Sequence, residues 1–181
     1  EDRKGQGLVL GMGCGENISL SSLNRVSRFG VIQLAEERQV VNEFFSKLKI
    51  KAASTESPAQ TLSGGNQQKL VLAKWLARQC QVLILDEPTR GVDVGAKAEI
   101  HKLIDELAAA GLAVLMISSE LPEVLNLSSR ILVMRNGSVA GFLERAKATQ
   151  EQVMRLMTGG GGSKTTDATD FPPEPSGPPN N

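Results

Sequence analysis

Asp86 and Glu87 stand side by side directly after the apolar run Val82-Leu83-Ile84-Leu85. Four apolar residues without alternation predict a strand buried on both faces, so the two acids are expected at its C-terminal end, where open parallel sheets bind ligands. Pro88 removes a backbone donor and Gly91 permits a sharp turn, which keeps the acids at the rim. Phosphate chemistry uses one carboxylate beside Mg2+ and a second to activate water. A core strand ending in a solvated acidic turn has the same residues, and this stretch alone leaves both readings open. Upstream lies a second group, Leu62-Ser63-Gly64-Gly65-Asn66-Gln67-Gln68-Lys69. Ser63 is a candidate N-cap, the glycines let a ligand approach the backbone, and the free amides of a helix start suit a phosphate. A capped helix with a glycine-flexible start is the alternative.

The elements that must position these residues follow from periodicity. Residues 1–15 are polar and then glycine-rich, which predicts loop. From Leu34 the period is helical, with Val41, Phe44, Phe45 and Leu48 on one stripe. Leu70, Ala73, Leu76 and Ala77 continue a packed face behind Ser63. After Asp93, residues 96–109 place Ile100, Leu103, Ile104 and Leu107 together, and Gly111 ends that helix. His101, the one histidine, falls off this face and is expected to be solvated. Ala113 to Ile117 is a second buried strand, giving the strand, helix, strand order of a parallel crossover. Ser119 is expected to cap a short helix through Leu125, with Pro122 in its first turn. Residues 131–134 predict a third strand, Asn136-Gly137 a hairpin turn, and Thr149 with Gln152 a capping box for a last helix. The Gly-, Ser-, Thr- and Pro-rich residues 159–181 are too polar to fold alone.

Composition excludes several classes. Twenty basic residues balance twenty acidic ones, so no bulk field draws the chain to nucleic acid or anionic lipid. No apolar run approaches the ~20 residues that span a bilayer, so membrane association is expected through a partner. Cys14 and Cys80 lack metal-ligand spacing and are expected to be free and reduced in a cytosolic protein. The 181 residues contain no Gly-Lys dipeptide, hence no loop of the kind that grips β- and γ-phosphates, and Gly162-Ser163-Lys164-Thr165 lacks both the glycine and the preceding strand. The chain starts at Glu1 without methionine and is expected to be a piece of something longer.

Taken together, residues 62–69 resemble the signature motif of ATP-binding cassette (ABC) transporter ATPases, and residues 82–87 resemble their Walker B. Residues 1–4, Gly7-Leu8, Glu16-Asn17, residues 88–97, residues 118–124 and residues 148–151 are similar to the second cassette of monosaccharide importers. The resemblance implies an α/β fold, a partial P-loop NTPase (RecA-like) parallel sheet with an ABC helical subdomain, lacking the Walker A half. It implies a helical subdomain over residues 1–79, the C-terminal half of the ATPase core over 80–158, and a disordered tail over 159–181. It further implies ATP and Mg2+, with Asp86 holding the metal through water and Glu87 polarising the attacking water. Ser63, Gly64, Gly65, Asn66 and Gln67 would face ATP held by an opposing cassette, and Asp93 would be the acid at the cassette interface. Ser119 stands where most cassettes place the switch histidine, Glu1 stands at the Q-loop glutamine, and Gly13-Cys14-Gly15 replaces a Ser-Val-basic run, which is expected to loosen that segment.

The implied activity is ATP hydrolysis coupled to monosaccharide uptake, asymmetric between two sites. This half would give its signature to a competent site, and Glu87 would serve a weaker one. Implied partners are the first cassette of the same subunit or another cassette, a transmembrane permease and, indirectly, a periplasmic sugar-binding protein, with no nucleic acid. The implied location is the cytoplasmic face of the inner membrane, peripheral. Two alternatives are a non-catalytic interaction or dimerisation module and a soluble ABC ATPase of translation or DNA repair. Neutral charge and Asn66-Gln67-Gln68 argue against the latter.

Overall fold

The computed structural model describes residues 7–159. Glu1, placed above at the Q-loop position, and residues 160–181 of the expected tail lie outside the described residues. The chain divides into two compact units, Glu1–Ser119 and Glu120–Asn181.

In the first unit, residues 8–13 form the loop that the glycine-rich composition predicts, and a helix begins at Cys14, so that the last two residues of the predicted loop are helical. Helix α1, Cys14–Ser19, starts at Gly13, and the Glu16 carboxylate accepts from the Gly13 amide at 2.7 Å. Asn17 explains why loop composition still gives order: its fully buried amide accepts from Val9 N at 2.8 Å and donates to Val9 O and Gly13 O at 3.0 Å each. One buried side chain thus replaces the regular ladder that a glycine-rich turn lacks. A 3-10 turn over Leu20–Ser22 leads to α2, Leu23–Val26, and to the hairpin of β1, Ser27–Arg28, with β2, Val31–Ile32. At its tip Phe29 and Gly30 both have positive φ, 51° and 77°, the turn that matches strand twist. Helix α3, Leu34–Lys47, buries Val40, Val41 and Phe44, with Leu48 just beyond it, while Phe45 stays half-exposed.

The run Gly13-Cys14-Gly15 does not loosen its segment. Cys14 N donates to Ser57 O at 3.0 Å and Gly15 N to Thr55 O at 2.7 Å. A Cβ on Gly15 would lie 3.2 Å from a Val41 methyl and 3.3 Å from Thr55 O, so the small residues permit close approach rather than freedom. The buried Cys14 thiol sits 3.0 Å from Ser57 O, and burial pushes its pKa up. A thiol pKa raised by folding contributes stability that is intact below the unfolded pKa of about 8.5 and is lost as pH rises through the folded value. Cys14→Ser keeps the hydrogen bond and is expected to change stability by less than about 1 kcal/mol in urea titrations at neutral pH. Between neutral and alkaline pH the wild type is expected to lose more stability than this variant.

Helix α4, Gly64–Leu76, follows a 3-10 turn over Ala59–Thr61. Arg25 Nη1 donates to Ala77 O and Ser21 Oγ to Lys74 O, which satisfies carbonyls of its last turn. Strand β3, Val82–Asp86, helix α5, Val94–Ala109, and strand β4, Ala113–Ile117, then form the expected parallel pair, with Val82 opposite Ala113 and Asp86 opposite Ile117. Helix α5 buries the four predicted residues and ends with Gly111 at φ +93°. His101 is half-buried rather than fully solvated, although Lys102 and Asp105 near it on α5 are exposed.

The expectation of two-sided burial fails for β3 and β4. Leu83 and Leu85 are buried, whereas Val82 and Ile84 are 58% and 63% exposed and Leu115 and Ile117 are 53% and 50% exposed. These strands supply apolar residues for two faces, and among the described residues only one face is covered.

In the second unit, α6, Leu121–Leu127, has Glu120 at its N-cap, not Ser119, with Pro122 in the first turn. Strands β5, Arg130–Arg135, and β6, Ser138–Glu144, form an antiparallel hairpin whose Asn136 and Gly137 have φ of 50° and 74°. Helix α7, Gln150–Thr158, carries the predicted Thr149–Gln152 capping box and packs on the hairpin, where Leu156 covers Gly141. Ile131, Val133, Ala148 and Val153 form the core of this unit.

Candidate functional site at the α4 tip and the β3 rim

Ser63 caps α4 in extended conformation, φ −61° and ψ 157°, and its hydroxyl accepts from Asn66 Nδ2 at 3.0 Å and from Asn66 N at 3.5 Å. Ser63 is exposed and Gly64 half-buried, so the cap of α4 is open to solvent. Asn66 also accepts from Lys51 N at 2.9 Å, which ties the tip to the chain leaving α3. Gly65 is buried, and a Cβ in place of its hydrogen would lie 2.4 Å from Ala96 Cβ and 3.7 Å from a Val92 methyl. Glycine is therefore required there by the approach of α5. Gln67 departs from expectation. Its side chain is buried and donates to Ala59 O at 3.2 Å, so it braces the tip from behind and does not reach out from it.

The acids stand at the carboxyl end of β3 as predicted. Asp86 is exposed, and Glu87 takes φ +49°, where its N donates to Ile117 O at 2.9 Å and its O accepts from Arg90 N at 3.2 Å. Left-handed conformation in a non-glycine residue is uncommon, and here these two hydrogen bonds hold it. Glu87 Oε1 accepts from Ser119 N at 2.7 Å. Two residues placed far apart in sequence are thus joined across the β3/β4 pair, and the contact to Glu87 comes from the Ser119 backbone. Thr89 is buried at 1% exposure and accepts from Val92 N at 3.1 Å, which shapes the strap between the rim and α5. Asp93 caps α5 through Oδ1, 2.9 Å from Ala96 N, so the helix begins two residues before the predicted Ala96.

Sequence reasoning passed over one pair. Lys69 is 5% exposed and sits on the stripe of α4 that buries Gly65, Leu72 and Leu76. A lysine at helical spacing within an apolar stripe needs a partner, and that was the available signal. The partner is Glu99 of α5, whose Oε2 lies 2.6 Å from Lys69 Nζ. That hydrogen bond and the Lys69 charge hold the Glu99 carboxyl below its usual range, with Lys51 adding to them. A carboxyl pKa lowered by folding contributes stability above the unfolded value of about 4.3, lost as pH falls through the folded one.

The arrangement offers an exposed helix start to an anion and an exposed carboxylate, Asp86, to a cation. No cluster of three or more His, Cys, Asp or Glu residues that could cage a metal exists among the described residues. One rim carboxylate does suit Mg2+, which keeps several waters and binds through one or two carboxylates plus substrate phosphates.

Comparison with known proteins gives consistent matches. The family described as ABC transporter matches residues 6–90. The ribose import ATP-binding protein RbsA of Chromobacterium violaceum is 54% identical over 160 residues, which cover 88% of this chain and 32% of that protein. The chain therefore spans about a third of the length of the curated relatives it matches. Among solved structures, cbiO1 of Clostridium perfringens, part of the transporter complex cbiONQ, aligns with a TM-score of 0.69 at 23% identity, covering 84% of this chain and 58% of that one. The ATP-binding cassette MJ0796, solved as a dimer in a post-hydrolysis state with ADP and Pi, aligns with a TM-score of 0.64 at 21% identity, covering 76% of this chain and 59% of that one. These structures show the fold, which is that of an ABC cassette of the P-loop NTPase type.

Proposed function

Because this chain belongs to the ABC transporter family, we propose that it is the C-terminal part of the second cassette in an ATP-hydrolysing subunit of a monosaccharide importer. The observation that carries the reading is the solvent-exposed Ser63 cap at the start of α4, with Gly65 pressed against α5. Such a helix start completes a site whose main phosphate grip lies on another cassette. Ser63 and Gly64 offer a hydroxyl and backbone amides to the nucleotide, and Asn66 fixes the Ser63 hydroxyl. Asp93, while capping α5, stands where a cassette interface would pass.

At the rim, Asp86 would hold Mg2+ through water, and that ion supplies charge neutralisation for the transferred phosphate. Glu87 orients water, with its carboxylate aimed by the Ser119 amide. Ser119 has no ring nitrogen to offer, so the site built on Glu87 is the weaker of two. The names of the relatives support ribose or a similar monosaccharide as cargo. Coupling would pass to a membrane permease, as the importer names of the relatives support; no described helix is long and apolar enough to cross a membrane. The subunit would then lie peripherally on the cytoplasmic face, with a periplasmic sugar-binding protein as an indirect partner. A second reading, an interaction module without turnover, draws on the apolar β3/β4 face that is uncovered among the described residues.

Two measurements separate these readings. Calorimetric titration of the 181-residue chain with Mg-ATP is expected to show no affinity tighter than about 1 mM, since one helix start supplies only part of a site. Micromolar binding would overturn the composite site. A chimera with residues 7–159 in place of the matched stretch of the Chromobacterium violaceum protein is expected to release phosphate from ATP; an inert, folded chimera would favour the interaction module.

A further inference from the structure

Two contacts about one helical turn apart join α4 to α5. At the first, Gly65 leaves no room for a methyl against Ala96. At the second, Lys69 Nζ donates to Glu99 Oε2 at 2.6 Å and to Lys49 O at 3.4 Å, while Lys51 approaches Glu99 Oε1 at 4.0 Å. The Lys69 side chain is 6% exposed and that of Glu99 is 51% exposed. Burying an ammonium costs several kcal/mol that pairing only partly offsets, and an apolar side chain of similar length often serves stability as well or better. Packing alone therefore does not call for lysine at this position.

Geometry supplies a reason. Residues 65 and 69 lie on one face of α4, and 96 and 99 lie on one face of α5. Each helix carries a site residue at its own N-cap: Ser63 on α4 and Asp93 on α5. A charged strut just behind the Gly65–Ala96 contact prevents one helix from sliding along the other, because sliding would strand a buried ammonium.

We propose that Lys69 and Glu99 are positioning residues that hold the Ser63–Gly65 tip in register with Asp93. The role rests on the reading of that tip as facing nucleotide. Neither side chain touches the nucleotide. The pair acts by fixing the spacing of two caps on which both sides of a cassette interface depend.

In the chimera, Lys69→Met is expected to lower kcat roughly tenfold while KM for ATP stays within about twofold, and Lys69→Arg to restore most of the rate. Methionine fills the same stripe, so the melting temperature of the 181-residue chain is expected to move by less than about 4 °C. An unchanged kcat in Lys69→Met overturns the proposal, as does a loss that tracks melting temperature and that arginine does not relieve. In the 181-residue chain, Lys69→Met is expected to speed amide exchange at Gln67, which donates to Ser63 O, but not at Ala77, which donates to Ala73 O. Equal change at both amides overturns it. A wild-type chimera without ATPase activity would remove the nucleotide reading, and the exchange comparison would then decide whether the pair holds the tip.

Discussion

Ser63→Arg in the chimera is expected to lower phosphate release at least about a hundredfold, whereas Glu87→Gln lowers it by less than about fivefold. The serine hydroxyl accepts from Asn66 and so closes the first turn of α4. Arginine removes that cap, which costs about 1 kcal/mol, and sets a cation at the positive end of a helix dipole. Those terms are small beside the steric one. On the proposed reading, a long side chain on this exposed tip would keep an opposing cassette from closing, and a displacement of about 1 Å can cost two orders of magnitude in rate.

Glutamine at position 87 retains an oxygen to accept from Ser119 N, so the left-handed turn and the rim are expected to survive. What it removes is the charge that, in the proposed function, would orient water at a site where Ser119 offers no ring nitrogen. Steady-state phosphate release for the two variants measures the asymmetry directly. Equal losses would show that Glu87 serves a site as productive as the one Ser63 completes.

Gly65→Ala is expected to destabilise the 181-residue chain by about 2 kcal/mol in denaturant titration. Helix propensity favours alanine by about 1 kcal/mol at an interior position, so propensity alone predicts stabilisation. Space decides otherwise. The added methyl would meet Ala96 Cβ at 2.4 Å, and neither atom belongs to a flexible side chain that could swing away. Separating the helices to relieve this contact would also lengthen the 2.6 Å Lys69–Glu99 pair. The compensating variant Ala96→Gly in the Gly65→Ala background is expected to recover most of the loss. No recovery would mean that glycine is needed for its backbone rather than for space.

The sequence alone determined the local signals and the family. Periodicity marked α3, α4 and α5, with the buried stripe of α5 residue by residue, and cap chemistry located Ser63 and the Thr149–Gln152 box. Such signals are legible because caps and helical stripes depend on neighbours within a turn or two. The acid pair was placed at a sheet rim for a similar reason, since an apolar run that stops at a proline has few other outcomes.

Only the tertiary structure decided features that depend on specific side-chain partners outside the periodic pattern. Composition gave loop for residues 1–15, which holds over residues 8–13, yet Asn17 ties Val9 and Gly13 together by hydrogen bonds that no periodicity records. The Glu87–Ser119 contact, the Gln67 side chain turned inward and the Lys69–Glu99 pair each join segments separated in the chain. The strands β3 and β4 make the same point from the other side. Their apolar residues specify what could be buried on each face, but exposure depends on which surfaces are present to cover them, and here Val82, Ile84, Leu115 and Ile117 remain uncovered.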